Sequence, residues 1–351
     1  MTMNNHTTCC RVPDPGLRHR AAETMAASCR ACASALWLAL VGLMFTAGSH
    51  AQQAAAASHG AAAAPLELVV LGSGGPGATG RAGASYLVLV DGVPRILVDA
   101  GPGSFARLGE AKLSIAKTDI VLLTHLHVDH AGELPGLFKA RAVSGGVPIA
   151  FRVFGPDGHD GTDGDASFPS TSRLIDLLFG KQGAFSYLRD FSAPMTITTT
   201  DIAAGLTTAT TDPQPKTILT EGDLVISAVG GHHRDAPAVI YRIDHAGKSI
   251  TFSGDIDADG LAGLRRIARD TSLLVFNSVV LDPPGSAAVL YTLHTPPKTI
   301  GEIADDSHVG QLLLSHLSPA IDNARAAVEA SIARRYKGPT TFARDGLHAV
   351  P

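Results

Sequence analysis

Beyond position 32 the chain has no cysteine. All four, Cys9, Cys10, Cys29 and Cys32, lie near the start of its 351 residues. The rest can form neither a disulfide nor a thiolate metal site, so any metal there must be held by His, Asp or Glu. The chain also lacks an excess of positive charge. Lys and Arg number 28 against 32 Asp and Glu, a net −4, which excludes the global basic character that draws nucleic acid. The apolar run Ala33 to Ala47, 15 residues long, is shorter than the ~20 residues of a membrane-spanning helix. The Gly-rich stretch Gly72 to Gly83, which carries Arg81, lacks the Gly-Lys-Ser/Thr ending of a phosphate loop. The stretch Asp157 to Ser167 carries Asp157, Asp160, Asp163 and Asp165 among glycines, but lacks the spacing and terminal Glu of a calcium loop. It reads as a solvated acidic loop.

The length of that apolar run suits a signal-peptide core, and Ser49-His50-Ala51 supplies small residues where a signal peptidase reads. Residues 1–51 are therefore expected to be a signal peptide, with cleavage before Gln52 and a periplasmic or secreted product. A retained membrane anchor is the alternative. Translation could start at Met1 or Met25. Cleavage would remove every cysteine, suiting an oxidising compartment, along with four Arg and two acids, leaving a net −6. Residues 52–65 are Ala-rich and read as a linker.

Polar chemistry concentrates at Thr124-His125-Leu126-His127-Val128-Asp129-His130, directly after the apolar run Ile120-Val121-Leu122-Leu123. The run reads as a buried strand, and Ala131 to Ala142 has helical composition. The three His and one Asp are thus expected on a turn leaving the C-terminal end of a strand. Imidazole and carboxylate are zinc ligands. Four on one short turn crowd a single ion and suit two adjacent ions better.

This motif resembles that of the metallo-β-lactamase superfamily. The resemblance extends through Leu71-Gly72-Ser73-Gly74-Gly75-Pro76, Ile96-Leu97-Val98-Asp99-Ala100-Gly101, Phe252-Ser253-Gly254-Asp255 and Leu314-Ser315-His316-Leu317, over roughly residues 66–347. The branch it looks most like is that of ribonuclease Z and its phosphodiesterase and arylsulfatase relatives. The resemblance implies an α/β fold, the four-layer αββα sandwich, over residues 66–349, with residues 157–190 as an insert at the active site. The hairpin around Asp91-Gly92 that ends at Asp99 is echoed by the hairpin around Ala246-Gly247 that ends at Asp255, as the two halves of that sandwich would require. Strands are expected at Leu66–Leu71, Ile149–Phe154, Ser272–Phe276 and Gln311–Leu314. Helices are expected over residues 102–113, Ser170–Leu188, Thr299–Asp306 and Ala320–Tyr336.

The resemblance also implies a ligand set: His125, His127 and His233 for one metal, Asp129, His130 and His316 for the other, with Asp255 between them. His233 is preferred to His232 because it lies four residues before Pro237-Ala238. Asp99 is expected to hold the metal loop without being a ligand. The expected cofactor is two Zn2+ per chain, with Mn or Fe also compatible with these donors. Asp129 and His294 are the candidate catalytic residues, Asp129 as a proton shuttle and His294 as an acid or a hydrogen-bond donor. In the related branch that His pairs with a Glu, where this chain has Asn277. His294 is therefore expected near its ordinary pKa of about 6.5. His159, His245, His308 and His348 match no motif and are expected at the surface.

The expected activity is metal-dependent hydrolysis of a small phosphodiester, sulfate or related ester. Opening a cyclic amide or ester, as β-lactamases and lactonases do, is the alternative. Ribonuclease Z-like RNA processing is opposed by the export signal and the acidic balance. A binding protein without catalysis is opposed by the complete ligand set, and an iron–oxygen redox site by the absence of the Glu usual at the second motif position. The expected partner is a small-molecule substrate, not nucleic acid, with no membrane after signal cleavage; a homodimer is also compatible.

Overall fold

Hydrophobic alternation dictates the layers. In strand β1 (Leu66–Gly72) the side chains of Leu66, Leu68 and Val70 enter one core, while Val69 and Leu71 enter another. Period-two alternation with both faces apolar marks a strand covered on both sides. The computed structural model describes residues 63–77, 79–161, 167–204, 213–234 and 236–351, which belong to one unit. The signal-peptide reading of residues 1–51 and most of the linker 52–65 lie outside the described residues, as do Asp163 and Asp165.

Among the described residues, two seven-stranded sheets form the inner layers. The first contains β1, β2 (Ser85–Val90), β3 (Val93–Val98), β4 (Ile120–Leu122), β5 (Ile149–Pro156) and β6 (Met195–Ile202). The second contains β7 (Lys216–Glu221), β8 (Leu224–Gly230), β9 (Val239–His245), β10 (Lys248–Phe252), β11 (Leu273–Asn277), β12 (Gln311–Ser315) and β13 (Thr340–Phe342). Strand β14 (His348–Ala349) crosses back to pair with β1 and completes the first sheet. The core between the sheets joins Leu68, Tyr86, Val98 and Leu122 of one to Ile226, Tyr241, Phe252 and Val275 of the other.

Helices cover the outer faces. On the first sheet these are α1 (Ser104–Ala111), α2 (Val128–Ala131), α3 (Leu134–Val143) and α4 (Thr171–Phe179), with Leu108, Leu137, Phe138 and Phe179 in the core beneath. On the second they are α5 (Leu261–Ile267), α6 (Pro297–Asp306), α7 (Pro319–Asn323) and α8 (Arg325–Ile332), with Leu264, Ile300, Ile321 and Val328 in theirs. This is the expected αββα arrangement.

The two halves echo each other in pairing. In the first, β2 and β3 form an antiparallel hairpin and β3 then pairs in parallel with β4. In the second, β9 and β10 form the hairpin and β10 pairs in parallel with β11. Both turns take left-handed conformations at two successive residues, Asp91-Gly92 and Ala246-Gly247, as tight hairpins require. The C-terminal ends of β3, β4, β10, β11 and β12 converge, and loops at such ends are where α/β sheets place their sites.

The structure departs locally from the sequence reading. The metal motif is not one turn: Asp129 and His130 lie within α2. The expected helix Ser170–Leu188 stops at Phe179, where Gly180 breaks it, and resumes as a 3-10 turn at Ser186–Asp190. The stretch Ala320–Tyr336 divides into α7 and α8. Strands β6 and β7 carry no clear apolar signature; they are edge strands, exposed along much of their length.

Candidate metal centre

Every residue of the expected ligand set reaches one place. His125, His127 and His233 present ring nitrogens within 4.8 Å of one another, and Asp129, His130 and His316 form a second such group. Asp255 lies between them. Its Oδ2 is 3.5 Å from His316 Nε2, 3.7 Å from His130 Nε2, 3.8 Å from His233 Nε2 and 3.9 Å from His294 Nδ1. Asp129 Oδ2 accepts from His316 Nε2 at 3.1 Å. Among these, His125, His130, His233, Asp255, His294 and His316 are buried, whereas His127 and Asp129 are partly open.

Local backbone geometry aims these side chains. Asp99 and His316 have left-handed backbones, φ 56° and 54°, a conformation costly for residues with a Cβ and common at functional sites. At Gly254, φ 57°, a Cβ would stand 2.8 Å from Thr124 Cβ. Only glycine lets the loop after β10 pass that close to the loop after β4.

A second set of contacts fixes the rings. Asp99 accepts from Thr124 N at 2.7 Å and Thr124 Oγ1 at 2.8 Å, and its Oδ2 lies 2.8 Å from His130 Nδ1. It thus ties the strand end to a ligand ring, the holding role expected of it. His233 Nδ1 donates to Leu293 O at 2.8 Å. Asn277 Nδ2 donates to Asp255 Oδ1 at 2.7 Å, leaving Oδ2 as the oxygen that faces the imidazoles. Such outer partners set tautomer and orientation in metal sites.

Electrostatics fit a cation. Burial opposes charge on His130, but Asp99 and Asp255 beside it raise its pKa well above the ordinary value. Burial likewise opposes charge on Asp255, yet His316, His294 and His130 hold its pKa well below the carboxylate range. For His125 burial dominates and, with His130 and His233 nearby, pushes the pKa down. His130 Nε2 is buried without a hydrogen-bond partner, and such an orphan needs an explanation. A divalent cation among these nitrogen and oxygen donors satisfies it, so the residues present fit the expected metals.

The family profile described as metallo-beta-lactamase superfamily matches residues 78–292. The chain belongs to the metallo-beta-lactamase superfamily. By that membership it is a metal-dependent hydrolase. A ribonuclease Z of Mycobacterium sp. (strain KMS) is 26% identical over 302 residues, covering 81% of this chain and 95% of that relative. Among solved structures, human tRNase Z, short form, superposes with a TM-score of 0.60 at 18% identity, covering 81% of this chain and 99% of that one. The metallo-beta-lactamase fold protein YhfI from Bacillus subtilis gives 0.59 at 19% identity, with 81% and 99% covered.

Four residues depart from the sequence reading, two of them in this superfamily site. His294 does not keep an ordinary pKa. Burial, with a smaller opposing pull from Asp255, takes it down to about 4. Asn277, at the position expected to pair with His294, hydrogen-bonds to Asp255. His245 is not fully at the surface: its ring is largely covered and Nε2 lies 2.9 Å from Asp91 Oδ2. His159 is also only partly exposed, whereas His308 and His348 are exposed.

His232 turns away from the centre. Its Nδ1 lies 2.9 and 2.7 Å from the two oxygens of Asp257, which also accepts from Arg234 N and Asp259 N. Asp257 was missed by sequence reasoning, although the alternation Asp255-Ile256-Asp257 carried a signal. Phe168, within residues 157–190, lies beside the centre, its ring 5.9 Å from that of His127. The Gly-rich loop lies beside His316 as the resemblance implied: a Cβ on Gly75 would be 3.3 Å from His316 Nδ1. Arg81 in that loop is committed to Asp322, Ser73 Oγ and Ala343 O, so it is no phosphate ligand.

Proposed function

We propose that the protein is an exported hydrolase holding two zinc ions and cleaving a small phosphodiester, sulfate or related ester. The observation that carries this reading is Asp255 Oδ2, placed within 3.8 Å of three imidazole nitrogens drawn from both ligand groups, with His294 Nδ1 at 3.9 Å beside them. A carboxylate oxygen so placed suits a bridge. One group is then His125, His127 and His233, the other Asp129, His130 and His316. When bound, two zinc ions supply a hydroxide nucleophile at neutral pH and offset negative charge on the attacked group. The chain's own residues do the rest. Asn277 holds the Asp255 carboxylate with one oxygen inward. Asp129, the most solvent-exposed carboxylate of the set, receives the proton of the attacking water. His294, neutral because buried, donates a hydrogen bond to the substrate and orients it. Water thus adds across the ester bond: a new P–O or S–O bond forms, the old one breaks, an activated departing oxygen leaves as the anion, and the proton held by Asp129 passes to solvent.

A departing oxygen that needs no full proton suits a neutral His294. Activated leaving groups such as nitrophenolate should react better than alkoxides. Ring opening of a lactam or lactone uses the same residues and is the reading kept beside this one. RNA processing is favoured by the name of the mycobacterial relative. The net −6 of the chain after residue 51 supports a small substrate instead, since polyanions are gathered by positive surface. The test is turnover by the zinc-loaded chain of bis(4-nitrophenyl) phosphate, 4-nitrophenyl sulfate, a lactone, a β-lactam and a precursor tRNA. Cleavage of the first two ahead of the others is expected. Inactivity on both, with two zinc ions bound, refutes the reading. For export, intact mass of protein recovered outside the cytoplasm should correspond to a start near Gln52; retention of Leu36 to Phe45 refutes cleavage.

A further inference from the structure

Beside the candidate metal centre lies a cavity of about 380 Å³, within the size range of small-molecule sites. It opens between the Gly-rich loop, the segment before His294 and the start of α7. None of its thirteen lining residues is ionisable, and Pro76, Val279, Leu290, Leu317 and Pro319 contribute apolar side chains. Two serine hydroxyls in the lining are already engaged: Ser318 Oγ donates to Val279 O at 2.6 Å, and Ser286 Oγ accepts from Leu281 N at 3.0 Å.

Backbone connections join this cavity to the centre. Leu317 directly follows His316. Gly75 packs against the His316 ring and its N–H donates to Leu317 O. Leu290 O accepts from His294 N at 3.0 Å. His316 and His294, two of the four histidines that face Asp255, are therefore each anchored to a cavity wall.

We infer that this cavity receives the uncharged, apolar organic group of the ester, an aryl-sized group, while the ester's anionic centre sits at the Asp255 cluster. The inference rests on the hydrolase reading and narrows its substrate class. Apolar walls gain from covering an aryl face. A second phosphate there would be desolvated with no cation to meet it, which is costly, so a nucleotide chain is a poor occupant.

The test uses two phosphodiesters with one leaving group, 2-naphthyl 4-nitrophenyl phosphate and methyl 4-nitrophenyl phosphate, on zinc-loaded full chain. The wild type should show a KM at least tenfold lower for the naphthyl ester. Ala320→Trp and Ala287→Trp, at exposed rim positions on separate segments, should each raise the naphthyl KM at least tenfold. Their methyl-ester kinetics should stay within twofold, with metal content unchanged. A wild type that handles both esters equally overturns the inference without any variant. So do variants that slow both esters alike or neither. Calorimetric binding of 2-naphthol separates this from the activity itself. Binding by wild type that both variants lose upholds the cavity even if no ester is turned over, in which case the hydrolase reading alone fails. No binding by wild type overturns the cavity.

Discussion

Asn277 Nδ2 donates a 2.7 Å hydrogen bond to Asp255 Oδ1, and both side chains are buried. Asn277 closes β11 and Asp255 follows β10, so the parallel register of adjacent strands makes the contact. Asn277→Ala should weaken zinc binding about 10–100-fold, the usual cost of an outer partner. Asn277→Glu should weaken it further, because a second carboxylate would face Asp255 at hydrogen-bond distance. Chelator competition measures both; wild-type affinity in both variants would show the contact to be incidental.

Asp255→Ala should reduce bound zinc from about two equivalents to below one and abolish activity, since one oxygen serves both ligand groups. Elemental analysis beside a kinetic assay checks this. Full metal content in the variant would rule out the bridging position.

His232→Ala and His233→Ala should part company. His233 Nδ1 is fixed by Leu293 O and its Nε2 faces Asp255, so its loss should strip metal. His232 pairs with Asp257, so its loss should leave metal in place and lower stability by about 1 kcal/mol. Metal analysis with thermal denaturation distinguishes the two, and loss of metal only in His232→Ala would exchange their roles.

Arg81 joins the Gly-rich loop to α7 through Asp322. Arg81→Ala should destabilise by about 1–2 kcal/mol, read as a Tm lower by several degrees. The pH dependence has a definite sign. Burial opposes charge on Asp322, but Arg325 and Arg81 hold its pKa below the ordinary value. Its contribution is present above the unfolded pKa of about 3.9 and is lost as pH falls through the lower folded value. The variant should therefore differ most from wild type above pH 4, with the gap narrowing in acid. A constant gap across that range would dissociate Arg81 from the Asp322 carboxylate.

Removal of metal from wild type should lower Tm as well. A ligand held at 1,000 times its Kd stabilises by about 4 kcal/mol, and the buried imidazoles and Asp255 lose their common partner when it leaves. Denaturation with and without EDTA measures it. An unchanged Tm, with metal loss verified, would mean that the cluster is satisfied by itself.

The sequence by itself determined what short-range pattern can determine. The alternation Leu66-Glu67-Leu68-Val69-Val70 and the run Ile120–Leu123 imposed strands. Asp91-Gly92 and Ala246-Gly247 imposed the two hairpins, and the spacing from His125 to His130 with no later cysteine restricted the metal chemistry to nitrogen and oxygen donors. Those signals are local, because period, turn conformation and ligand type are set by neighbouring residues. The hydrogen bond from Asn277 to Asp255, and the distances at which the imidazoles face that carboxylate, were decided by the tertiary structure alone. Asn277 meets Asp255 from 22 positions away and His316 from 61, through parallel pairing of β10, β11 and β12. The low pKa of His294 likewise comes from burial by segments distant in sequence. The uncharged cavity exists only where the Gly-rich loop, the segment before His294 and α7 come together. Burial and desolvation depend on which segments pack together, and no local pattern carries that information.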